Sequence, residues 1–596
     1  MLNCRYIDEL QTGILCSGLE WEKMEQLKNI KSTRMKKIIL YLSALLITGL
    51  PSCKKWETEP KDRVLISDVF DPTDKEAVQA KAYLFGIYSL LPNGFNRIDG
   101  DFLDAATDDA VPSSERSNVS FFTNGQLTAV NYPDNNWFNS YALVRRCNVF
   151  LKNIDIVPIS DTLIKQYKAE VRFLRAFSYF ELLKRYGGIP LLGDEVLELD
   201  SDINIARSNY ADCVNYISGE VDAIKADLPL GSKITTTDFG RANLEAALAL
   251  KCRLYLYAAS PLFNGGGVSA DPQKKALTGY TDADTSRWDR VIQAAEEIIS
   301  KGYYKLPAGT GTAVYRNVFT TKINTDIIFS KQSANSTGLE TASAPIGYVA
   351  PAASNGRTSP TQDFLNAFPN LNGSPFEGSI ATLSQYQNRD PRLNAIIFYN
   401  GVQWLGRAVE TFEGGRDKPN RPYQVQTKTS YYLRKFLGDF TTGTTYSNQS
   451  HNFPYFRYAE VLLNYAEALN ERGRTEDAAK QVFLLRARAG ITAGTNARYG
   501  IPAGVGQADL RRLIKNERRI ELSFEEHRFW DIRRWKDAQS LPAQLTGLAL
   551  DNSSGSIVIA QKEVAPFKFE TKNYYMPIPF SEMQKNSKLI QNEGYY

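Results

Sequence analysis

Apolar residues recur every three or four positions through residues 457–490, RYAEVLLNYAEALNERGRTEDAAKQVFLLRARAG, a rhythm that predicts two amphipathic helices. Val461, Leu462, Tyr465, Ala466 and Leu469 share one stripe of the first. After Gly473 the pattern restarts, with Thr475 as the expected N-cap and Glu476 and Asp477 in the first turn, where the helix dipole favours anions. Ala478 and Ala479 are small enough for the second helix to pack closely on the first. The pair reads as a tetratricopeptide-like hairpin, and such hairpins stack because each alone leaves an apolar face wet.

Three further pairings carry the same rhythm less sharply. Residues 167–188 precede a helical run at 209–229, residues 241–261 precede one at 288–303, and residues 510–538 supply two more segments; 137–154 forms an earlier one. The predicted fold is therefore mainly α, with about four helical hairpins. Between 304 and 453 the rhythm fades, Gly, Ser, Thr, Asn and Pro accumulate, and short β-like runs such as TDIIFS and TSYYLRKF stand between turns. A stretch of that length is too long for one loop, so it predicts an inserted subdomain of loops and short strands. Residues 95–136 share its character. The expected organisation is a helical region at 53–303, a loop-rich ligand-binding subdomain at 304–453 and a second helical region at 454–596.

One apolar run stands apart. Residues 38–50 follow Lys36 and Lys37 and stop before Cys53. At 1.5 Å per residue the run makes a helix of about 20 Å, marginal against a hydrocarbon core of ~30 Å, so it reads as a signal peptide (35–52) and not as an anchor helix. Leu50-Pro51-Ser52-Cys53 reads as a lipobox, with Pro51 where a small residue is usual and Cys53 as the acylated first mature residue. Residues 1–34 have no secretory pattern and are read as an upstream extension, Met35 being the expected start.

Composition narrows the function. Seventy basic against 66 acidic residues give a formal charge of +4, which offers no strong attraction to nucleic acid. Beyond Cys53 only Cys147, Cys213 and Cys252 remain, all within helical patterns, and they are read as small buried hydrophobes. His451 and His527 are the only histidines, too few for an H-E-x-x-H zinc site, and the chain has no G-x-S-x-G, Walker or G-x-G-x-x-G motif. The glycine run at 263–267, FNGGG, reads as a helix stop. No cofactor and no metal is expected. A glycosidase needs only two carboxylates, and Asp108 and Asp109 in ATDDAVPS are the pair that attracts notice, although turn and cap roles suit adjacent aspartates better.

Sugar binding asks for an aromatic platform against the C–H faces of the rings and planar polar groups for the hydroxyls. In the loop-rich stretches the candidates are Arg116, Phe121 and Phe122 in SERSNVSFFTNG, Tyr348 and Asn355 ahead of PTQ, and Trp404 in NGVQWLGR.

Several long segments then converge on one family. AEVRFLRAFSYFELLKRYGGIPLL (169–192), ASPLFNGG, RYAEVLLNYAEALNE, NERRIELSFEEHRFWDIRRW (516–535) and YYMPIPFSEMQKNSKLIQNEGY (574–595) occur in the order expected of the SusD/RagB outer-membrane lipoproteins, which the chain resembles from Cys53 to its end. PTQDFLNAF and RDPRLNA add middle segments, while KKWETE after Cys53 and Asp326 in TDIIF, where glutamate is commoner, depart from the pattern. The resemblance implies a helical platform of four tetratricopeptide-like units, a surface lipoprotein seated as a lid on a SusC-like TonB-dependent transporter, and capture without chemistry of an oligosaccharide or, in some members, a peptide. A secreted carboxylate-based glycoside hydrolase is the alternative. The family segments themselves read as scaffold, with the charges of 516–535 pairing between helices over Phe524, Phe529 and Trp535.

Overall fold

The computed structural model describes residues 65–265, 267–348, 355–440 and 446–595. The chain divides into two units, Met1–Asp68 and Val69–Tyr596. Only Leu65–Asp68 of the first are described, so the lysine-flanked run and Cys53 lie outside the described residues. Among the described residues no helix is long and apolar enough to cross a membrane.

The second unit is built on helices α1 (Val78–Ser89), α2 (Trp137–Asn153), α3 (Asp161–Tyr186), α4 (Tyr210–Ile224), α5 (Leu244–Ala259), α6 (Arg287–Ile299), α7 (Thr312–Thr320), α8 (Tyr458–Glu471), α9 (Thr475–Ala489), α10 (Gln507–Glu521) and α11 (His527–Arg534). Each of α2 to α5 packs on the next, α8 returns onto α6, and α9 and α10 pack on α8. This is the expected stack of hairpins, interrupted between α6 and α8.

The local sequence accounts for the ends and faces. Ser160 caps α3 and Asn243 caps α5 by accepting from Leu163 N and Ala246 N. Gly490, at φ 88°, ends α9 in the left-handed conformation that glycine adopts without steric cost. Val461, Leu462, Ala466 and Leu469 are buried on α8, against Ala478 and Ala479 of α9. Tyr465 of the same stripe is half-buried and donates to Glu296 at 2.7 Å. Thr475 is the first residue of α9 and not its cap, which is Arg474; the acidic first turn is as expected. Cys147, Cys213 and Cys252 are free and buried, as read from the sequence.

Ten short strands form five two-stranded antiparallel sheets among the described residues. β1 (Ala110–Val111) pairs with β3 (Ser359–Pro360), β2 (Ile327–Lys331) with β8 (Phe453–Arg457), and β4 (Ile397–Phe398) with β7 (Tyr432–Leu433). β5 (Gln403–Trp404) pairs with β6 (Arg407–Ala408), and β9 (Gln544–Asp551) with β10 (Val558–Pro566). The loop-rich part has a core of its own, formed by residues such as Phe102, Phe364, Phe398, Tyr432 and Phe436, with Phe524 reaching into it from the turn after α10.

A buried ionic network lies beneath that core. Arg457 contacts Glu521 at 2.8 Å, Glu525 at 2.6 Å and Asp326 at 3.2 Å, while Arg392 contacts Asp390, Glu517 and Glu521 at 2.6–2.9 Å. Asp326 also accepts from Ala459 N at 2.9 Å, so the aspartate that departs from the family pattern caps α8. Burial lowers the Lys435 amine to about 8, the Glu525 carboxylate at 2.7 Å offsetting only part of that effect. The C-terminal family segment docks on α3 through Met576 N, which donates to Arg185 O at 2.8 Å.

Candidate functional site

Loops far apart in sequence meet where β1 pairs with β3. The ladder sets Val111 opposite Ser359. Just beyond it, Ser113 Oγ donates to Gly356 O at 2.6 Å and lies 2.8 Å from Ser359 Oγ. Lys428 N donates to the same Ser359 hydroxyl at 3.1 Å, and Lys428 Nζ is 2.8 Å from Glu115 Oε1. These contacts frame a cleft of about 390 Å³ lined by Ser113, Glu115, Lys418, Asn420, Gln424, Gln426 and Lys428, with Lys562 and Glu563 from β10.

Loop 413–428 is fixed by its own polar groups. Lys418 Nζ is 2.6 Å from Glu413 Oε1 and 3.1 Å from Ser430 Oγ. Asn420 Nδ2 donates to Glu413 at 2.5 Å, Gln426 Nε2 donates to Asn420 Oδ1 at 2.6 Å, and the Asn420 backbone N donates to Gln426 Oε1 at 3.0 Å. Burial and then the Lys418 ammonium lower the Lys562 amine. Tyr423 stands at the tip with its side chain fully exposed and φ at 63°. A non-glycine residue held left-handed costs of order 1–3 kcal/mol, and such strain concentrates at ligand-contacting segments. The loop thus carries an exposed aromatic side chain at Tyr423 and fixed amide groups at Asn420 and Gln426, the two kinds of group a pyranose ring requires.

The residues expected from sequence are distributed as follows. Arg116 is exposed three positions after Ser113, and Asn355 is exposed next to Gly356, so both lie on loops that the Ser113 hydrogen bond joins. Tyr348 and Trp404 come together, ring centroids 4.8 Å apart, but both are buried. Tyr348 Oη donates to the carbonyls of Trp404 and Arg407 at 3.0 and 3.2 Å, and the Arg407 guanidinium lies 3.6 Å from the Tyr348 ring centre and 2.8 Å from Asp417. This pair therefore supports the loop from within. Phe122 is buried in the helical core, edge-to-face with Tyr132 and Phe529, and Phe121 beside it is half-buried. Tyr423, Asn420, Gln424 and Gln426 were not anticipated. Their one local signal is an aromatic preceded by RDKPNRP (416–422), a run with no Val, Ile, Leu, Met or aromatic residue that could share a core with it.

Asp108 and Asp109, immediately before β1, are buried, and each is held by arginine. Arg528 binds Asp108 through two hydrogen bonds of 2.8 and 2.9 Å, and Arg519 lies 2.8 Å from Asp108 and 2.5 Å from Asp109. Burial would raise the Asp108 carboxyl, but Arg519 and Arg528 outweigh it and hold the group at about 2. In Asp109 burial prevails over Arg519, with help from the Asp108 charge, and raises it to about 6. The pair joins the β1 loop to α10 and α11, and its carboxylates are spent on Arg519 and Arg528 in the interior. Among the described residues no group of three or more His, Cys, Asp or Glu could hold a metal ion.

The SusD family profile matches residues 325–595, and a profile described as starch-binding associating with outer membrane matches 71–256. The chain belongs to the SusD/RagB family. Two relatives share this architecture in solved structures. A SusD-like protein from Bacteroides fragilis is 27% identical at a TM-score of 0.75, over 89% of this chain and all of that one. A SusD-like carbohydrate binding protein from the same species is 25% identical at a TM-score of 0.67, over 87% of this chain and 99% of that one. SusD-like protein P2 of Formosa agariphila is 26% identical over 83% of this chain and 86% of its own length. Membership accounts for the 516–535 segment: its charges form the ionic network and the Asp108 clamp, over buried Phe524, Phe529 and Trp535.

Proposed function

We propose that this SusD/RagB-family chain captures an oligosaccharide at the cell surface through the Tyr423 cleft and passes it, bonds intact, to a SusC-like TonB-dependent transporter. The observation that carries the reading is the fully exposed Tyr423 side chain on the same loop that puts Asn420, Gln424 and Gln426 in the cleft lining. A sugar ring stacks on the phenol face and its hydroxyls exchange hydrogen bonds with the amides; nothing in the cleft has to donate or abstract a proton. The starch-binding profile over 71–256 and the carbohydrate binding relative support the same ligand class.

Acylation of Cys53 would tether the chain to the outer membrane and keep its local concentration over the transporter high. Ligand held by the loops would then favour the closed lid, because a ligand shifts an equilibrium toward the state it binds better. Modest affinity suits the task, since release must follow closure.

Calorimetric titration of the purified protein with glycans and with peptides, alongside chromatography of the incubated ligands, tests the proposal. Saturable glycan binding that Tyr423→Ala weakens at least about tenfold is the expected result. Peptide binding in its place would move the ligand class, and release of shortened glycans would establish the hydrolase reading instead.

A further inference from the structure

We infer that the Tyr423 cleft selects an acidic saccharide, one that carries a carboxylate or a sulfate ester, and that Lys562 of β10 receives the negative group. This selection rests on the Tyr423 cleft being the capture site and adds the charge of the ligand to it.

Strand alternation aims Lys562 at the cleft. It pairs with Gly547 across the β9–β10 hairpin, so the two residues share a face. That face is turned toward the end of the cleft loop: a Cβ on Gly547 would stand 2.6 Å from Thr429 Cα. Leu548 N donates to Thr429 O at 3.0 Å and Ser430 Oγ donates to Leu548 O at 2.8 Å, which fixes the hairpin against that loop. Lys562 and Lys418 both line the cleft, and they lie close enough for the Lys418 charge to act on the Lys562 amine. Glu563, next along the strand, pairs with Thr546 on the opposite face and is exposed to water.

On the Lys562 face the counter-charges are already committed. Glu413 accepts from Lys418 Nζ with Oε1 at 2.6 Å and from Asn420 Nδ2 with Oε2 at 2.5 Å, so both of its oxygens are used. Glu115 is taken by Lys428 at 2.8 Å. Lys562 is half-buried, and among the described residues it has no ion pair and no acceptor for its hydrogen bonds; Glu413 attracts it only through space. A half-buried ammonium has lost part of its hydration, and a ligand anion would supply a charge-assisted hydrogen bond, roughly twice as strong as the neutral one a sugar hydroxyl offers. A cationic ligand would meet the repulsion of both lysines.

Calorimetric titration of the full chain compares polygalacturonate, alginate and carrageenan, each beside its methyl-esterified or desulfated form, with laminarin and starch as neutral glycans. We expect at least one acidic polymer to bind about tenfold more tightly than its neutralised form, and the one that does separates a carboxylate from a sulfate ester. Raising sodium chloride from about 50 to about 500 mM should shrink that ratio, a test that needs no variant. Lys562→Met, which keeps the stem and relieves the repulsion from Lys418, should bring the ratio close to one, whereas Lys562→Arg should retain most of it; melting curves confirm that both are folded. Laminarin or starch bound in a Tyr423-dependent way, with no acidic polymer preferred over its neutralised form, would overturn the selection and leave the capture reading standing, as would a preference for acid that Lys562→Met and salt leave unchanged. Failure of every polymer to bind would overturn both.

Discussion

Lys428 and Glu115 face each other at 2.8 Å across the mouth of the loop cleft, joining a loop near the start of the chain to one in the inserted segment. The Glu115 side chain is 87% exposed, so water screens the pair and it adds under about 1 kcal/mol to folding. Glu115→Gln should leave the thermal midpoint within experimental scatter. It should nonetheless weaken glycan binding several-fold, because the Lys428 side of the mouth is no longer held. A titration beside a melting curve checks both halves.

Tyr423→Ala should cost at least about tenfold in glycan affinity, equivalent to about 1.4 kcal/mol, without loss of stability, since the ring contacts no core. Tyr423→Phe should retain most of the binding, because the face and not the hydroxyl forms the platform. Equal losses in the two variants would argue against stacking.

Asp104 supplies a pH prediction. Burial, followed by the nearby Asp109 charge, raises its carboxyl from an ordinary aspartate value to about 8, and it accepts from Phe524 N at 2.8 Å. The folded chain therefore keeps a proton that the unfolded chain has released, and stability falls as pH rises from about 4 to about 8, by up to roughly 1.4 kcal/mol per unit. Asp104→Asn keeps the acceptor and removes the titration. Chemical denaturation at a series of pH values should show the variant gaining on the parent as pH rises.

Asp108→Asn should destabilise the chain by about 3–5 kcal/mol, because it strips a buried counter-charge from Arg519 and Arg528. A denaturation midpoint reports the loss, and residual glycan binding by the folded fraction separates a clamp from a ligand contact. Arg457→Met should cost a similar amount by leaving Glu521, Glu525 and Asp326 buried without their shared cation.

The helical stack was legible because its signal is local: the stripe Val461, Leu462, Ala466 and Leu469 and the small Ala478 and Ala479 carry the packing within one hairpin. The cleft was not, because its position depends on contacts between distant segments, the β1–β3 ladder and the Lys428 pair among them. Aromatics in a Gly- and Asn-rich stretch give no local sign of which face they turn inward. Trp404, between Tyr348 and Phe398, lies within the subdomain's core, whereas Tyr423, in equally irregular surroundings, is fully exposed.

The pairing of β2 with β8 also bears on how such a protein changes over time. Ile327 sits opposite Arg457 and Lys331 opposite Phe453, so the inserted segment leaves and rejoins the scaffold side by side. Exposed loops strung between those two strands, such as 413–428, can lengthen, shorten or be exchanged while the entry and exit stay in register. Arg392 and Lys435 mark the limit of that freedom, because their partners Glu517, Glu521 and Glu525 belong to the scaffold and would be left without counter-charges.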